Sequence, residues 1–387
     1  MNLNRIAMAA VSIALAFWTI PLDLVGSAQN AQVPIFEYDA TFPKPLPETW
    51  AIGPIGGLAV DRQDHLYVVQ RPGGLLTNER LSGADDTPPK AECCVPAPPV
   101  LEFDQSGKLI RSWGGPGAGY DWPQTEHGIF VDHKDNVWLA GSGAKDAQLL
   151  KFTREGKFLQ QFGRPGMSGG SGDTKNMGSP ANLTVDAASN EVYVADGYRN
   201  HRVIVLDGDT FAFKRMWGAY GNKPEDRDLG AYNPDAPPAQ QFRLPHNIAI
   251  SRDGFVYVAD RPNNRIQVFR KDGTFVKEAF IARRTFLAGA ASGFVLSPDA
   301  QQRFLYAIDG ANHRVWILNR ETLQVVARFG QQGIFGGSLN TPHAIAVDSR
   351  GNLYVGENFD ARRFQRFLYK GLGTPVAGAN PPTTIVR

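Results

Sequence analysis

The chain has 387 residues, 42% of them hydrophobic and 20% charged, with 40 Lys plus Arg against 38 Asp plus Glu. A formal charge of +2 offers no basic surface for nucleic acid, and 41 Gly with 27 Pro are too many for a helical bundle of this size. Aromatic residues at 11% can bury a core, which excludes disorder, and two Cys are too few for a disulfide framework or a thiolate zinc site. A large all-β or α/β globular chain remains.

The chain opens on a targeting segment. Arg5 supplies a positive start, Ile6 to Ile20 form an apolar run, and Gly26 and Ala28 have the −3 and −1 spacing that a signal peptidase reads. Asp23 interrupts any extension toward the length of a spanning helix. Residues 1–28 are expected to be a signal peptide or an N-terminal anchor, with the following domain extracytoplasmic, periplasmic or secreted.

From residue 57 the chain repeats. An apolar strand ending in Asp or Ser recurs as GLAVD (57–61), GIFVD (128–132), NLTVD (182–186), NIAIS (247–251), GFVLS (293–297) and AIAVD (344–348). Each is followed by a polar turn and a second strand: HLYVV, NVWLA, EVYVA, FVYVA, FLYAI and NLYVG. Third strands such as RVIVLD and RIQVF follow, then fourth strands ending in an aromatic and Gly, as in FKRMWG. Four short strands per unit, six units and no helical period between them predict an all-β, six-bladed β-propeller. The sixth unit shows three strands, ending near RFLYKG (366–371), so IFEYDATF (35–42) is expected to supply its fourth and close the ring. This sets a propeller over 33–371 and a tail over 372–387. Pro72 to Pro99, the Gly-rich stretch after Gly163 and the stretch after Tyr220 are expected to be loops on the propeller faces. Cys93 and Cys94 sit in the first of these; a vicinal disulfide and two free thiols both remain open.

Five residues before the end of each first strand stand Gly56, His127, Ala181, His246, Ser292 and His343. Histidine alternates with a small residue, so blades 2, 4 and 6, about 120° apart in a six-fold ring, each send an imidazole toward the central channel. Three neutral His with an open fourth position describe a catalytic zinc site. Only seven His occur in the chain, and the other four, His65, His133, His201 and His313, fall in or beside turns and are read as structural. A second column, just after the second strand, holds Arg71, Ser142, Gly197, Arg261, Gly310 and Asn358. Arg71 and Arg261, on opposite sides of the channel, can clamp a carboxylate, and the Tyr198 phenol, near a metal and these two guanidinium groups, is expected to titrate low enough to move a proton.

The turn sequences DGYRNHRV, DRPNNRIQ and DGANHRVW resemble NHL-type repeats, and the six-residue constellation resembles the peptidyl-α-hydroxyglycine α-amidating lyases. The resemblance pairs Arg71 in YVVQR and Arg261 in VADRPNNRIQ with that family's active-site arginines, and Tyr198 in VADGYRN with its catalytic tyrosine. His127 in EHGIFVD, His246 in LPHNIAI and His343 in TPHAIAV match its zinc ligands. It implies cleavage of an N-acyl-α-hydroxyglycine, free or at the end of a peptide, to an amide and glyoxylate by a monomeric zinc enzyme. No nucleic acid or membrane partner is implied beyond the N-terminal segment. The animal enzymes carry an acidic residue after the third His that helps to hold calcium; here it is Ala344, so Leu58 and Ile129, matching the carbonyl ligands, are expected to bind calcium weakly at best. The animal disulfides and the copper monooxygenase domain have no counterpart in the sequence. The alternative reading is a non-catalytic extracytoplasmic NHL propeller that binds a protein or glycan. A calcium-dependent lactonase is disfavoured by three His where carboxylate and Asn ligands would stand.

Overall fold

A computed structural model of the chain describes residues 32–47, 49–75 and 87–374; the targeting segment assigned to residues 1–28 lies outside them, as does the tail from residue 375. Among the described residues there is no α-helix, and six four-stranded antiparallel sheets form the blades of a propeller. Blade 1 runs through Ile55–Val60, Leu66–Gln70, Val100–Phe103 and Leu109–Trp113, and blade 2 through Glu126–Val131, Val137–Gly141, Leu149–Phe152 and Phe158–Phe162. Blade 3 comprises Pro180–Asp186, Glu191–Asp196, Arg202–Asp207 and Phe213–Trp217; blade 4 comprises Pro245–Ile250, Phe255–Asp260, Arg265–Arg270 and Phe275–Phe280. Blade 5 is Gly293–Leu296, Phe304–Asp309, Arg314–Asn319 and Val325–Phe329. Blade 6 takes Pro342–Val347, Leu353–Glu357 and Phe364–Gly373 from the end of the chain and Val33–Tyr38 from its start. Val33 pairs with Gly373 and Tyr38 with Phe367, which closes the ring as the repeat count requires. Arg366 reinforces the closure, its Nε donating to Asp39 Oδ2 at 2.8 Å.

The core lies between blades. At one position of every second strand stands a large aromatic residue, Tyr67, Trp138, Tyr193, Tyr257, Tyr306 or Tyr354, each almost wholly buried. Phe36 of the closing strand packs on Tyr306 and Phe329 of blade 5, so blade 6 is sealed to its neighbour by a ring cluster assembled from both ends of the chain. Burying an aromatic side chain of this size is worth about 2–3 kcal/mol, which makes the layer the main source of inter-blade cohesion. The NHL-type turns are built on buried ion pairs: Arg202 Nε to Asp196 Oδ2 and Arg265 Nε to Asp260 Oδ2, both 2.9 Å, link the end of a second strand to the start of the third.

The inner strands approach closely enough to restrict side-chain size. A Cβ on Gly56 would stand 2.6 Å from the Glu126 carbonyl oxygen, and one on Gly57 2.4 Å from that of His127. Gly56, the small residue that blade 1 contributes to the histidine column, is therefore a steric requirement of the ring. Each histidine sits where the inner strand slips register, between Glu126 and Ile129, Pro245 and Asn247, and Pro342 and Ala344. The unpaired residue of such a bulge is re-aimed, here into the channel.

In the insert after blade 1's second strand, Val95–Pro96 pairs in parallel with Trp50–Ala51, and Cys93 and Cys94 are joined as a vicinal disulfide. The 3₁₀ turns Pro72–Gly74 and Arg261–Asn263 directly follow second strands, Arg71 standing before the first and Arg261 opening the other.

Candidate metal centre

His127, His246 and His343 meet in the channel. Their ring centroids lie 4.8, 4.7 and 5.2 Å apart, the planes are inclined at 75–83°, and the ligand nitrogens all fall within 4.8 Å of one another. All three rings are buried. The Nδ1–H of His127 donates to the Ala181 carbonyl at 2.7 Å, and that of His246 donates to the Ser292 carbonyl. Those acceptors are the small residues of the next blade, so the ring spacing itself fixes the tautomer. With Nδ1 carrying the proton, Nε2 presents its lone pair to the channel. His343 Nδ1 is buried and closes no full hydrogen bond, though the Ile55 backbone favours its charged form.

Burial holds all three imidazoles well below the ordinary histidine range. Repulsion adds to it: from the other two rings at His127, from Arg261 at His246, and from Arg71 at His343. They are neutral at pH 7, the form in which imidazole ligates a metal.

Above the rings lies Tyr198, whose Oη is 2.8 Å from His127 Nε2 and 3.0 Å from His246 Nε2. Arg261 Nη1 reaches His246 Nε2 at 3.4 Å while its Nε donates to the Ala288 carbonyl at 2.9 Å. Arg71 Nε donates to the Glu126 carbonyl at 2.7 Å and its Nη1 to Asn358 Oδ1 at 3.2 Å. Burial lowers the Arg71 pKa, with Tyr198 and Glu126 pulling the other way. Three imidazoles converge, while the Tyr198 hydroxyl and Arg261 Nη1 bring one proton each, so the ligand nitrogens outnumber the donors supplied to them. A divalent cation satisfies that arrangement. Three buried neutral imidazoles with an approach from the Tyr198 side are a donor set that suits zinc.

The structure brings together the six residues singled out in the sequence, His127, His246, His343, Tyr198, Arg71 and Arg261. Burial raises the Tyr198 pKa, and Arg261 and Arg71 pull it back only in part. Desolvation outweighs two guanidinium groups because the ring sits inside the channel mouth. Three of the other four histidines make local contacts: His201 Nδ1 lies 3.2 Å from the Arg243 carbonyl, His313 Nδ1 accepts the Thr341 N–H at 3.1 Å, and His65 Nδ1 lies 3.0 Å from Glu102 Oε1. The Asp61, His65 and Glu102 cluster holds Arg154 among its carboxylates, which neutralises it.

His127, His246 and His343 themselves border a cavity of about 20 Å³ in the channel, whose other walls include Leu58, Ile129, Asn182, Asn247 and Ala344. It has room for a water molecule. No carboxylate is among the residues lining it, so it does not offer the charged oxygen ligands that calcium prefers.

Asn358, which holds Arg71, was given no role from sequence although it stands in the same column as the two arginines. The Ala288 carbonyl, the other guanidinium partner, carries no sequence signal.

Comparison with known proteins agrees with this architecture. The NHL repeat family matches residues 177–206 and 242–269, which lie in and just before blades 3 and 4. Human NHL repeat-containing protein 3 is 29% identical over 301 residues, covering 73% of this chain and 76% of that protein. The Drosophila melanogaster peptidyl-alpha-hydroxyglycine alpha-amidating lyase 1 is 27% identical over 280 residues, 67% of this chain and 48% of the fly protein. A streptogramin B lyase structure superposes with a TM-score of 0.51 at 12% identity, covering 87% of this chain and 98% of that one, a likeness of fold alone. The chain is therefore a six-bladed NHL-repeat propeller similar in sequence to the peptidyl-α-hydroxyglycine α-amidating lyases.

Proposed function

We propose that the protein is a zinc-dependent carbon–nitrogen lyase that cleaves an N-acyl-α-hydroxyglycine to an amide and glyoxylate. The observation that carries the reading is the Tyr198 hydroxyl set between two of three converging neutral imidazoles, with two guanidinium groups beside it. His127, His246 and His343 would hold the ion through Nε2. Zinc bound there supplies Lewis acidity, lowering the pKa of an alcohol and of a neighbouring phenol.

The chain's own residues account for the remaining requirements. Arg71 and Arg261 bind the substrate carboxylate from opposite sides and place its α-carbon over the imidazoles. Each guanidinium is fixed by a backbone or Asn acceptor and keeps further N–H groups for the substrate. Tyr198 Oη, once ionised, takes the α-hydroxyl proton as the C=O of glyoxylate forms and the C–N bond breaks. Both electrons of that bond leave with the amide nitrogen, which takes up the proton that Tyr198 removed from the hydroxyl, directly or through solvent, so that the phenolate is regenerated and no net proton is consumed. The carboxylate stays on glyoxylate, so the arginines hold substrate and product alike and contribute chiefly to orientation.

The test is release of glyoxylate from N-benzoyl-α-hydroxyglycine by the purified chain without copper, reductant or oxygen. Release well above the uncatalysed rate, abolished by a chelator and restored by zinc, is expected. A zinc-loaded protein with no release would overturn the lyase reading for this substrate class and favour the binding propeller.

A further inference from the structure

A cleft of about 410 Å³ between blades 4 and 5 has no part in the chemistry of the channel. It lies toward the face of the propeller opposite to Arg261, because strand Phe255–Asp260 begins in the cleft and ends next to that arginine. Phe255, Tyr257, Val268 and Val276 form its apolar wall, and Lys277, Arg303 and Arg320 bring cations to it.

The other blades show which group blade 4 lacks. Strand pairing places Arg111, Arg215 and Lys277 at one register position of the fourth strand in blades 1, 3 and 4, each in a row with a second-strand tyrosine, Tyr67, Tyr193 or Tyr257. In blade 1 the row has its own carboxylate, Glu102, to which Arg111 Nη1 donates at 2.6 Å. In blade 3 the carboxylate is Glu191, two residues before the tyrosine, and Arg215 Nη2 donates to it at 2.6 Å. Blade 4 has Val268 at the position of Glu102 and Phe255 at that of Glu191. The acid that ends the first strand, Asp61 in blade 1 and Asp186 in blade 3, is Ser251 in blade 4.

The next blade adds a second cation to each row from the turn between its third and fourth strands: Arg154, Lys271 and Arg320. In blades 1 and 3 these two cations face two carboxylates, Asp61 with Glu102 and Asp186 with Glu191. In blade 4 Asp253 stands in for both, and it is taken by Arg320 at 2.9 Å. Arg303 is paired as well, with Asp299 at 3.2 Å. Lys277 donates to the Arg320 and Glu321 carbonyls and, among the described residues, has no carboxylate at ion-pair distance. The Glu321 side chain stands exposed at the rim. Burial and the charge of Arg320 lower the Lys277 pKa, as befits an ammonium without its counter-ion.

We propose that this cleft binds a small carboxylate with an aromatic or hydrocarbon body, its charged group taking the place at Lys277 that Glu102 and Glu191 fill in blades 1 and 3. One uncompensated ammonium matches a single negative charge, whereas a phosphate dianion would also meet Asp253 and Glu321. The apolar wall selects a ligand whose remainder is hydrophobic, and the volume falls in the range of about 300–1,000 Å³ usual for small-molecule sites. The inference stands apart from the lyase reading, since none of these residues is among those around the imidazoles.

The test is calorimetric titration of the full chain with 3-phenylpropanoate, with 3-phenylpropanamide as its uncharged counterpart and inorganic phosphate as an anion without an apolar body. The double variant Arg71→Ala with Arg261→Ala removes the channel's own carboxylate clamp, so binding retained there belongs elsewhere. Saturable binding of 3-phenylpropanoate is expected in the wild type and in that double variant, with the amide and phosphate roughly ten-fold weaker or more. Lys277→Gln, at a partly exposed position, should weaken it by about ten-fold or more, the size of one charge-assisted hydrogen bond. Phe255→Glu restores the carboxylate of blade 3 and should remove binding from a protein that stays folded. No saturable binding in the millimolar range, equal affinity for the amide, or binding unchanged in Lys277→Gln overturns the site. Binding lost in the double-arginine variant places the carboxylate in the channel and overturns it too, and phosphate binding as tightly as 3-phenylpropanoate overturns the ligand class.

Discussion

Replacing Gly56 by Ala tests whether the packing of the inner strands positions the imidazoles. The added Cβ would stand 2.6 Å from the Glu126 carbonyl oxygen, 3.0 Å from its carbon and 3.2 Å from the His127 Cα. All three are backbone atoms, so no rotamer change relieves the clash, and strand Glu126–Val131 has to retreat by about half an ångström to restore ordinary contact. Overpacking of this kind costs about 1–3 kcal/mol. A metal–nitrogen bond tolerates about 0.2 Å, so a retreat of that size should also weaken zinc binding roughly 10–100-fold. Gly293→Ala in blade 5 is the control, because its Cβ would meet the Ile308 side chain at 3.4 Å and the Asn247 side chain at 3.7 Å, both ordinary contacts. Urea unfolding and zinc competition against a fluorescent chelator give the two readouts. Equal stability and equal zinc affinity in the two variants would refute the argument that Gly56 lets the inner strands pack closely enough to bring the histidines together.

Tyr198→Phe removes the one hydroxyl between the imidazoles and should lower turnover by about 10²–10⁴-fold while zinc content, read by atomic emission, stays at the wild-type level. Arg71→Ala and Arg261→Ala should each weaken kcat/KM for the free acid far more than for its methyl ester, measured by glyoxylate release, because the ester offers no carboxylate to clamp. Away from the site, Glu191 is held down to about 2, first by its hydrogen bonds from Arg215 at 2.6 and 3.0 Å and also by Tyr193 and Lys214. Its folded value lies below its unfolded one, so its contribution is complete above about pH 4.5 and is lost as pH falls through 2. With allowance for solvent screening, Glu191→Gln should cost about 1–2 kcal/mol in urea unfolding at pH 7, and the difference should close in acid.

Much of this was legible in the sequence because a propeller writes its architecture as a period. The Asp or Ser ending each first strand and the aromatic residue in each second strand are local devices repeated in all six blades, and the NHL turn recurs in three, so the copies expose each one. The histidine triad was legible for the same reason, since alignment of the repeats converts a three-dimensional ring into a column. What the column does not carry is register. The bulges that turn His127, His246 and His343 inward depend on how each inner strand pairs with the second strand of its own blade. The Arg71–Asn358 contact joins residues 287 positions apart across the closure of the ring. Nor does it carry depth: the guanidinium neighbours of Tyr198 can be counted along the chain, whereas the desolvation that raises its pKa depends on how deep the phenol sits.

The central claim is that three imidazoles from alternate blades hold one metal ion, and the most direct measurement is zinc stoichiometry in single-histidine variants. Purified wild-type chain, equilibrated with zinc and passed through a desalting column, should retain one ion per chain. His127→Ala, His246→Ala and His343→Ala should each retain essentially none, since three protein ligands leave no spare. His201→Ala and His313→Ala should match the wild type. Loss of zinc in the His201 or His313 variant with full retention in the channel variants, or a wild type that retains no zinc at all, would contradict the account.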